Sequence, residues 1–475
     1  MKTILNFNNW NELNEHLSEL TQSGKQKQAG DIFENLCKYY LLTAPHYRSK
    51  LKNVWLLKEI NEEIKKIINL PDTDEGIDLI AETKNGKFWA IQSKYRSDFD
   101  STLTVKGDLS TFANLAFNHC NNIVHGLVLT TSSKPPIKKK YLNNIGFETV
   151  ETFIALDDNN YEGWKFITNK CKGSVYLPSK KIPRPHQKDA IYKCVEYFKE
   201  KDRGKIFMPC GTGKSLVSYW VARELNAKTI LVAVPSLSLL QQTLKVWTRE
   251  FFLDDIEPDW LCVCSDKSVS DDLDDFVDDM SEMGFKITTE KEEVRNWLDE
   301  KNNGIKIIFT TYQSSAVTVE GSKNFSFDLA IFDEAHKTVG HEDKPKAHMI
   351  SQKKINIKKR LFMTATERLF RSGKEDYLSM DNENSYGKII YNLSFKEAIY
   401  SDPPIISDYK VITFQVTDRE IDEVYQSNKF IKIKDEVDDN ITAREFATSI
   451  ALRKSIKDLG IKNAISFHSS ILRAN

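Results

Sequence analysis

Lys205-Ile206-Phe207-Met208-Pro209-Cys210-Gly211-Thr212-Gly213-Lys214-Ser215 is the stretch on which the fold turns. Its first three residues read as a strand, the glycine-rich part as a loop, and Leu216–Leu225 as the helix that follows. Strand, loop and helix in that order are what a phosphate-binding loop requires. The glycines let backbone N–H groups turn inward around phosphate oxygens, and the start of the helix adds partial positive charge. Lys214 is placed to neutralise the β- and γ-phosphates of a nucleotide, and Ser215 to ligate Mg2+. Met208 stands where the motif has glycine, a mild departure because the last four positions carry most of the phosphate contacts.

Such a loop needs a partner before it means anything. Leu329-Ala330-Ile331-Phe332 is an apolar strand that ends in Asp333-Glu334-Ala335-His336. An acid at the C-terminal end of a parallel strand stands where a doubly wound sheet opens its ligand crevice. Asp333 would hold the nucleotide's Mg2+, and Glu334 would orient or deprotonate the attacking water. A surface acidic turn has the same composition; the two motifs in order, each in its required setting, favour the site.

Outward from these motifs, strands at Lys205–Phe207, Thr229–Val234, Ile305–Phe309, Leu329–Phe332 and Arg360–Met363 alternate with helices. Apolar strands separated by helices predict a parallel sheet covered on both faces. Residues 254–279 are strongly acidic (Asp271, Asp272, Asp274, Asp275, Asp278, Asp279) and read as a solvated insertion, not a DNA groove. Cys262 and Cys264 alternate along a strand as core thiols.

The N-terminal third has a different pattern. Trp10, Leu13, Leu17 and Leu20, then Ile32, Phe33, Leu36 and Tyr40, recur at helical spacing. Ile77–Ala81 and Phe88–Gln92 flank Lys84-Asn85-Gly86-Lys87, and Asn-Gly between alternating runs is a strong hairpin signal. A helix near Leu109–Cys120 and a buried strand at Gly126–Thr131 follow, ended by Lys134-Pro135-Pro136. Residues from about 156 to 182 are polar, with Pro178 and Pro183 close by, and read as a linker.

In this third, Asp74-Glu75-Gly76-Ile77-Asp78 opens the hairpin and Gln92-Ser93-Lys94 closes it. Period-two spacing puts Gln92 and Lys94 on one face, across a tight hairpin from Asp78. Glu34, on the preceding helix, would complete an oxygen-rich pocket suited to Mg2+. An acid, an amide oxygen and a lysine supply the parts of phosphodiester hydrolysis, the lysine positioning water or balancing charge. An ordinary hairpin with charged edges would carry the same residue types.

Composition sets the limits. At 475 residues, with 40% hydrophobic and 28% charged residues, the chain is an ordinary globular protein of two to three domains. A net charge of −1 argues against a dedicated DNA-coating protein without excluding a basic groove. No apolar run approaches the roughly 20 residues that span a bilayer, and the start, Met1 to Asn8, turns polar too early for a signal peptide. Seven scattered cysteines point to a reducing cytoplasm. The basic runs Lys138-Lys139-Lys140, Lys353-Lys354 and Lys358-Lys359-Arg360 read as solvated faces, His341 and His348 as surface residues, and Trp10, Trp55 and Trp164 as core.

Two resemblances follow from these residues. Asp333-Glu334-Ala335-His336 with Gly211-Thr212-Gly213-Lys214-Ser215 resembles the DEAH-box, superfamily-two helicases and translocases. Arg184-Pro185-His186-Gln187 resembles that family's adenine-reading motif. Val232-Ala233-Val234-Pro235 and Phe309-Thr310-Thr311-Tyr312 resemble its nucleic-acid backbone contacts, and Met363-Thr364-Ala365-Thr366 its coupling motif. The resemblance implies an ATP-binding set of Arg184, Gln187, Gly211, Thr212, Gly213, Lys214, Ser215, Asp333 and His336. Asn463–Ser469 resembles the first motif of the second motor lobe; no counterpart of the arginine finger follows, so ATP binding with poor hydrolysis is expected unless that lobe is supplied. Separately, Asp78, Gln92 and Lys94, with Glu34 as a looser match, resemble the Mrr-like branch of PD-(D/E)xK nucleases.

A nuclease before a DEAH motor resembles the type ISP restriction–modification enzymes, a likeness that extends to Leu261–Asp266 and Ser394–Ile399. It implies an α/β chain with a PD-(D/E)xK nuclease domain at 1–160, a linker at 161–182, a first RecA-like motor domain at 183–400 and the beginning of a second at 401–475. The expected function is an ATP-dependent double-stranded DNA translocase coupled to a Mg2+-dependent endonuclease, in restriction of foreign DNA. The rest of the second lobe, a methyltransferase and a target-recognition domain are expected in the same polypeptide or a partner chain. Two other readings are a stand-alone helicase–nuclease of DNA repair and an ATP-gated DNA-binding subunit with an inactive nuclease fold.

Overall fold

The computed structural model describes residues 3–71, 76–133, 144–158, 162–264, 283–301, 304–341, 347–370, 377–417, 419 and 443–461. Asp74, Glu75, Lys138–Lys140, the acidic run Asp271–Asp279 and the segment Asn463–Ser469 lie outside them.

The N-terminal helices α1 (Trp10–Gln22) and α2 (Gln26–Thr43) bury the stripes that the spacing predicts, Leu13, Leu17, Phe33 and Leu36 among them. They precede a five-stranded sheet of β1 (Leu51–Leu56), β2 (Leu79–Thr83), β3 (Phe88–Lys94), β4 (Ile123–Thr130) and β5 (Ile145–Glu148), in that spatial order. The first two pairings are antiparallel and the last two parallel. One sheet face packs Ile80, Ala90 and Val128 against Leu109 and Phe112. The helix expected near Leu109–Cys120 is a single α-turn, Ser110–Asn114, between two π-helical turns, Val105–Leu109 and Leu115–His119.

The stretch expected to be a linker contains a helix, Gly163–Cys171, whose Trp164, Phe166 and Ile167 are buried. It packs against α2, because its apolar residues fall on one side among Lys165, Thr168, Asn169 and Lys170. Residues 174–184 then run without regular structure to the helix Pro185–Tyr197.

An eight-stranded sheet follows, formed by β6 (Arg203–Phe207), β7 (Thr229–Val234), β8 (Asp259–Val263), β9 (Ile287–Thr288), β10 (Lys306–Thr311), β11 (Ser326–Phe332), β13 (Asn356–Thr364) and β15 (Lys388–Asn392). Its order is β15-β6-β13-β11-β7-β10-β8-β9, with every pairing parallel. A separate ribbon pairs β12 (Gly340–His341) with β14 (Tyr377–Leu378). Helices between parallel strands cover both faces, which is why the strands read as continuous apolar runs. This is the RecA-type arrangement expected from the sequence, and the chain is α/β with two distinct sheets. Among the described residues no helix is long and apolar enough to cross a membrane.

One expectation needs correction. Arg360 was grouped with exposed lysines, but it is fully buried and donates to the Ile355 and Ile357 carbonyls and to Gln352. Lys358 on the same strand is exposed and pairs with Asp328 at 2.9 Å. His341 and His348 are half-buried, His341 lying 5.1 Å from the Tyr377 ring.

The two sheets belong to one contact unit, Met1–Ile405. Between them the Tyr47 hydroxyl lies 2.6 Å from Glu148 Oε1 and 2.8 Å from the Gly284 carbonyl. A Cβ on Gly284 would stand 2.3 Å from both Glu148 Oε1 and the Tyr47 hydroxyl, so a side chain there would displace one of them. Lys50–Asp259 at 2.8 Å, Lys84–Glu257 at 2.7 Å and a Trp260–Ser49 hydrogen bond extend the junction. Residues 406–475 form a second unit, in which the helix Ala443–Leu459 is described.

Candidate nucleotide and nuclease sites

The glycine-rich loop leaves β6 and enters the helix Lys214–Glu224, the setting the sequence predicts. Gly211 and Gly213 adopt φ of 83° and 87°, a region that disfavours any Cβ. At Gly213 a Cβ would also stand 2.4 Å from Gln187 Nε2. Gln187 is buried and donates from Nε2 to the Thr212 carbonyl at 3.0 Å, while its Oε1 accepts from the Arg184 N–H at 2.9 Å. His186 Nε2 lies 3.1 Å from the same Thr212 carbonyl, a contact the sequence reading did not assign. Arg184 is exposed, and its backbone N–H is what meets Gln187. Thr212 closes the loop by donating to the Pro209 carbonyl at 2.7 Å.

β6, β13 and β11 are neighbours, so their C-terminal ends bring three motifs together. The Met208 N–H donates to the Thr364 carbonyl, and Asp333 N–H to the Ala233 carbonyl. Lys214 Nζ lies 3.1 Å from Glu334 Oε1. Burial opposes its charge, but Glu334 and Asp333 hold it protonated above its ordinary range. Asp333 is 6% exposed, and burial, with Glu334 beside it, pushes its carboxyl up to about 6 despite Lys214. Tyr312 donates to the Asp333 carbonyl at 2.6 Å. Glu334 has φ 49°, rare for a side-chain-bearing residue, which turns it back over the loop lysine. His336 Nδ1 lies 3.4 Å from Glu334 and 2.9 Å from Thr364 Oγ1, linking the acidic motif to the coupling motif. Ser215 is half-buried at the first turn of the helix, its carbonyl accepting from Trp247 Nε1.

In the five-stranded sheet, Leu79 pairs with Ile91, so Asp78 stands opposite Gln92 at the open end of the hairpin. The Ser93 N–H donates to Asp78 Oδ2 at 2.6 Å, and Ser93 Oγ lies 3.3 Å away. Gln92 is 2% exposed; its Nε2 donates to the Gly76 carbonyl at 2.9 Å, and its Oε1 is buried and has no hydrogen-bond partner among the described residues. Lys94 is half-buried two residues on, its carbonyl accepting from Thr130 Oγ1. The buried Cys37 thiol is pushed far up by burial, then by the charges of Glu34 and Asp78. Both carboxylates therefore lie within electrostatic reach of one α2 thiol.

The fit to Mg2+ rests on Gln92. A buried acceptor without a donor costs about 1–3 kcal/mol unless something supplies positive charge, and the amide is held with Oε1 as its spare end. Among the described residues no three His, Cys, Asp or Glu side chains gather as a metal cluster.

Residues 42–159 match a restriction endonuclease family of the Mrr catalytic type, and residues 180–369 match the type III restriction enzyme res subunit. The chain thus joins a region similar to restriction endonucleases to a region similar to the helicase-like subunit of restriction enzymes. It is similar in structure, over most of its length, to a type ISP restriction–modification enzyme. The ATP-dependent type ISP enzyme LlaBIII, solved bound to DNA, is 25% identical with a TM-score of 0.62, over 82% of this chain and 25% of that one. A nuclease-deletion mutant of the type ISP enzyme LlaGI, with a DNA substrate mimic, is 31% identical over 45% of this chain and 17% of that one, TM-score 0.37. A probable helicase of African swine fever virus (isolate Tick/Malawi/Lil 20-1/1983) is 29% identical over 220 residues, 46% of this chain and 22% of its own length. The chain therefore spans about a quarter or less of these relatives.

Proposed function

We propose that this chain couples ATP-driven movement along double-stranded DNA to Mg2+-dependent phosphodiester cleavage, in restriction of foreign DNA. The observation that carries the reading is the orphaned, buried Gln92 Oε1 opposite Asp78, in the same contact unit as the Lys214–Glu334 pair. Residues 1–160 are the nuclease, 161–182 the connector, 183–400 the first motor domain and 401–475 the start of the second. The remaining motor lobe, a methyltransferase and a target-recognition domain come from the same polypeptide or a partner, and the enzyme works in the cytoplasm.

In the nuclease, Asp78, Gln92 and Glu34 would hold Mg2+, which when bound polarises the phosphodiester and acidifies water. Lys94 positions that water or balances the developing charge. Ser93 N–H fixes the Asp78 carboxylate, and the Gly76 carbonyl fixes the amide of Gln92. In the motor, Arg184 and Gln187 read the adenine side, and Gly211, Thr212, Gly213 and Lys214 surround the phosphates. Ser215 and Asp333 would hold the Mg2+ of ATP. Glu334 orients the attacking water once a nucleotide draws Lys214 away from it, and His336 passes that state to Thr364.

Replacing Asp78 by Ala tests the reading. With ATP and Mg2+, the variant of the intact protein should lose plasmid cleavage and keep DNA-stimulated ATP hydrolysis. Unchanged nicking would reduce the five-stranded sheet to a DNA-binding part.

A further inference from the structure

The strand that carries Gln92 and Lys94 does not end its chemistry there. Tyr95 points to the α1 and α2 side, its ring 5.7 Å from Phe33 and its hydroxyl 3.2 Å from the Asn14 carbonyl. Arg96, two residues past the end of β3, instead meets Asp108, whose neighbour Leu109 packs with Phe112 against the sheet face that carries Ala90. Its backbone is locked there: Arg96 N–H donates to Thr131 Oγ1, which donates back to the Arg96 carbonyl. One guanidinium nitrogen, Nη2, lies 2.6 Å from Asp108 Oδ1, and the side chain is 41% exposed.

Asp108 sits on the π-helical turn Val105–Leu109, a rare element that recurs at functional sites. Its Oδ2 accepts from Thr104 N–H at 2.8 Å and Thr104 Oγ1 at 3.0 Å, so the carboxylate is fixed before it meets the arginine. Burial opposes its charge, but the Thr104 donors, Arg96 and then Lys94 hold it below its ordinary range. The carboxylate thus contacts Arg96 and lies within electrostatic reach of Lys94. The next turn packs beside Gln92: Phe112 N and Gln92 Nε2 lie 3.5 and 3.4 Å from where a Gly76 Cβ would be.

We infer that Arg96 is a phosphate-binding residue of the nuclease site, gripping the DNA backbone beside the cleaved bond, and that Asp108 is the positioning residue that aims it. The inference rests on the nuclease reading of Asp78, Gln92 and Lys94. A guanidinium with one N–H committed to a fixed carboxylate still offers a planar set of donors to phosphate oxygens. Gln92, Lys94 and Arg96 then take three parts: metal ligand, charge-balancing amine and substrate clamp.

The test uses the intact protein. Affinity for a short duplex is titrated against salt with Ca2+ in place of Mg2+, and plasmid cleavage is followed with ATP and Mg2+. Arg96→Gln should lower the slope of log affinity against log salt by about one, the signature of one lost phosphate contact. Cleavage should fall about 10- to 100-fold. Arg96→Lys should restore the slope but not the full rate, because it keeps the charge and loses the fork. Asp108→Asn should keep the slope and lose rate, with DNA affinity equal or higher once the competing carboxylate is neutral; a merely structural loss would lower both. Wild-type slope and cleavage in Arg96→Gln, with Asp78→Ala inactive alongside, overturns the inference and leaves the nuclease reading standing. Unimpaired cleavage by Asp78→Ala overturns both.

Discussion

The two sites of this molecule meet their missing positive charge in opposite ways. The motor site is neutralised from within: Lys214 reaches Glu334, and Asp333 is driven toward its protonated form by burial. The nuclease site keeps a debt, with Gln92 Oε1 buried and without a hydrogen-bond partner among the described residues. A site that closes on its own charges can open and refill with each nucleotide, as the motor proposed above would need. A site with a standing orphan acceptor favours one resident cation. The difference follows from ligand type: two adjacent acids repel and need a lysine, whereas an amide adds no charge and can be buried without one.

The largest effect that would break this contrast is at the loop lysine. Lys214→Ala should lower DNA-stimulated ATP hydrolysis in the assembled enzyme about 10²- to 10³-fold; hydrolysis that persists would remove the phosphate-loop assignment. Next comes an acid placed where the amide stands. Gln92→Glu adds a buried charge near Asp78 and Glu34, and metal-free stability should fall by about 2–3 kcal/mol. Millimolar Mg2+ should return most of it, read by denaturant unfolding with and without the ion. Equal stability in both conditions would mean that no cation belongs there.

How much of this was legible in the sequence depends on whether the information is contiguous. Loop, acidic motif and their strands could be read because each motif lies within a few residues of the strand that aims it. Edges read less well. β11 starts at Ser326, ahead of its apolar run, because Asp328 accepts from the Lys228 and Thr229 N–H groups and so tolerates a place in the strand. β13 starts at Asn356 because exposed Asn356 and Lys358 alternate with buried Ile357, a pattern hidden in a charged run that took in Arg360. The helix Gly163–Cys171 was hidden by its polar average, although Trp164, Ile167 and Cys171 form a stripe. Gln92 was named, but its orphaned oxygen was not readable: that depends on Gly76, sixteen residues back, claiming the amide's other end.

A smaller effect sharpens the motor half. Asp333 at about 6 in the empty fold lies above the ordinary 3.8 of a free carboxyl. The fold therefore prefers the protonated form, and Asp333's contribution to folding stability, full at low pH, is lost as pH rises from about 4 to about 6. Mg2+-nucleotide needs the carboxylate, so its affinity should weaken about tenfold per pH unit below 6 and level off above it. Asp333→Asn should flatten that dependence in a binding titration from pH 5 to 7.5. A level wild-type profile would show that the acid is ionised before the nucleotide arrives.

The smallest effect asks whether the two sites belong to one cooperative body. The Tyr47 hydroxyl stands between Glu148 of the nuclease sheet and the Gly284 carbonyl of the motor side, and Glu148, though buried, is held down at about 2, helped by Lys245 and His46. Tyr47→Phe removes one hydroxyl and adds no volume, so the loss should be about 1 kcal/mol. Its distribution carries the argument. If the junction couples the sheets, hydrogen exchange should speed up in the cores of both β3 and β10, and one unfolding transition should shift as a whole. If only β3 and β5 respond, the nuclease opens by itself, and its cation would stabilise that body without reporting to the motor. Shared protection instead means that a nucleotide closing on Lys214 and a cation settling on Gln92 stabilise the same folded state, so each would raise the apparent stability measured at the other.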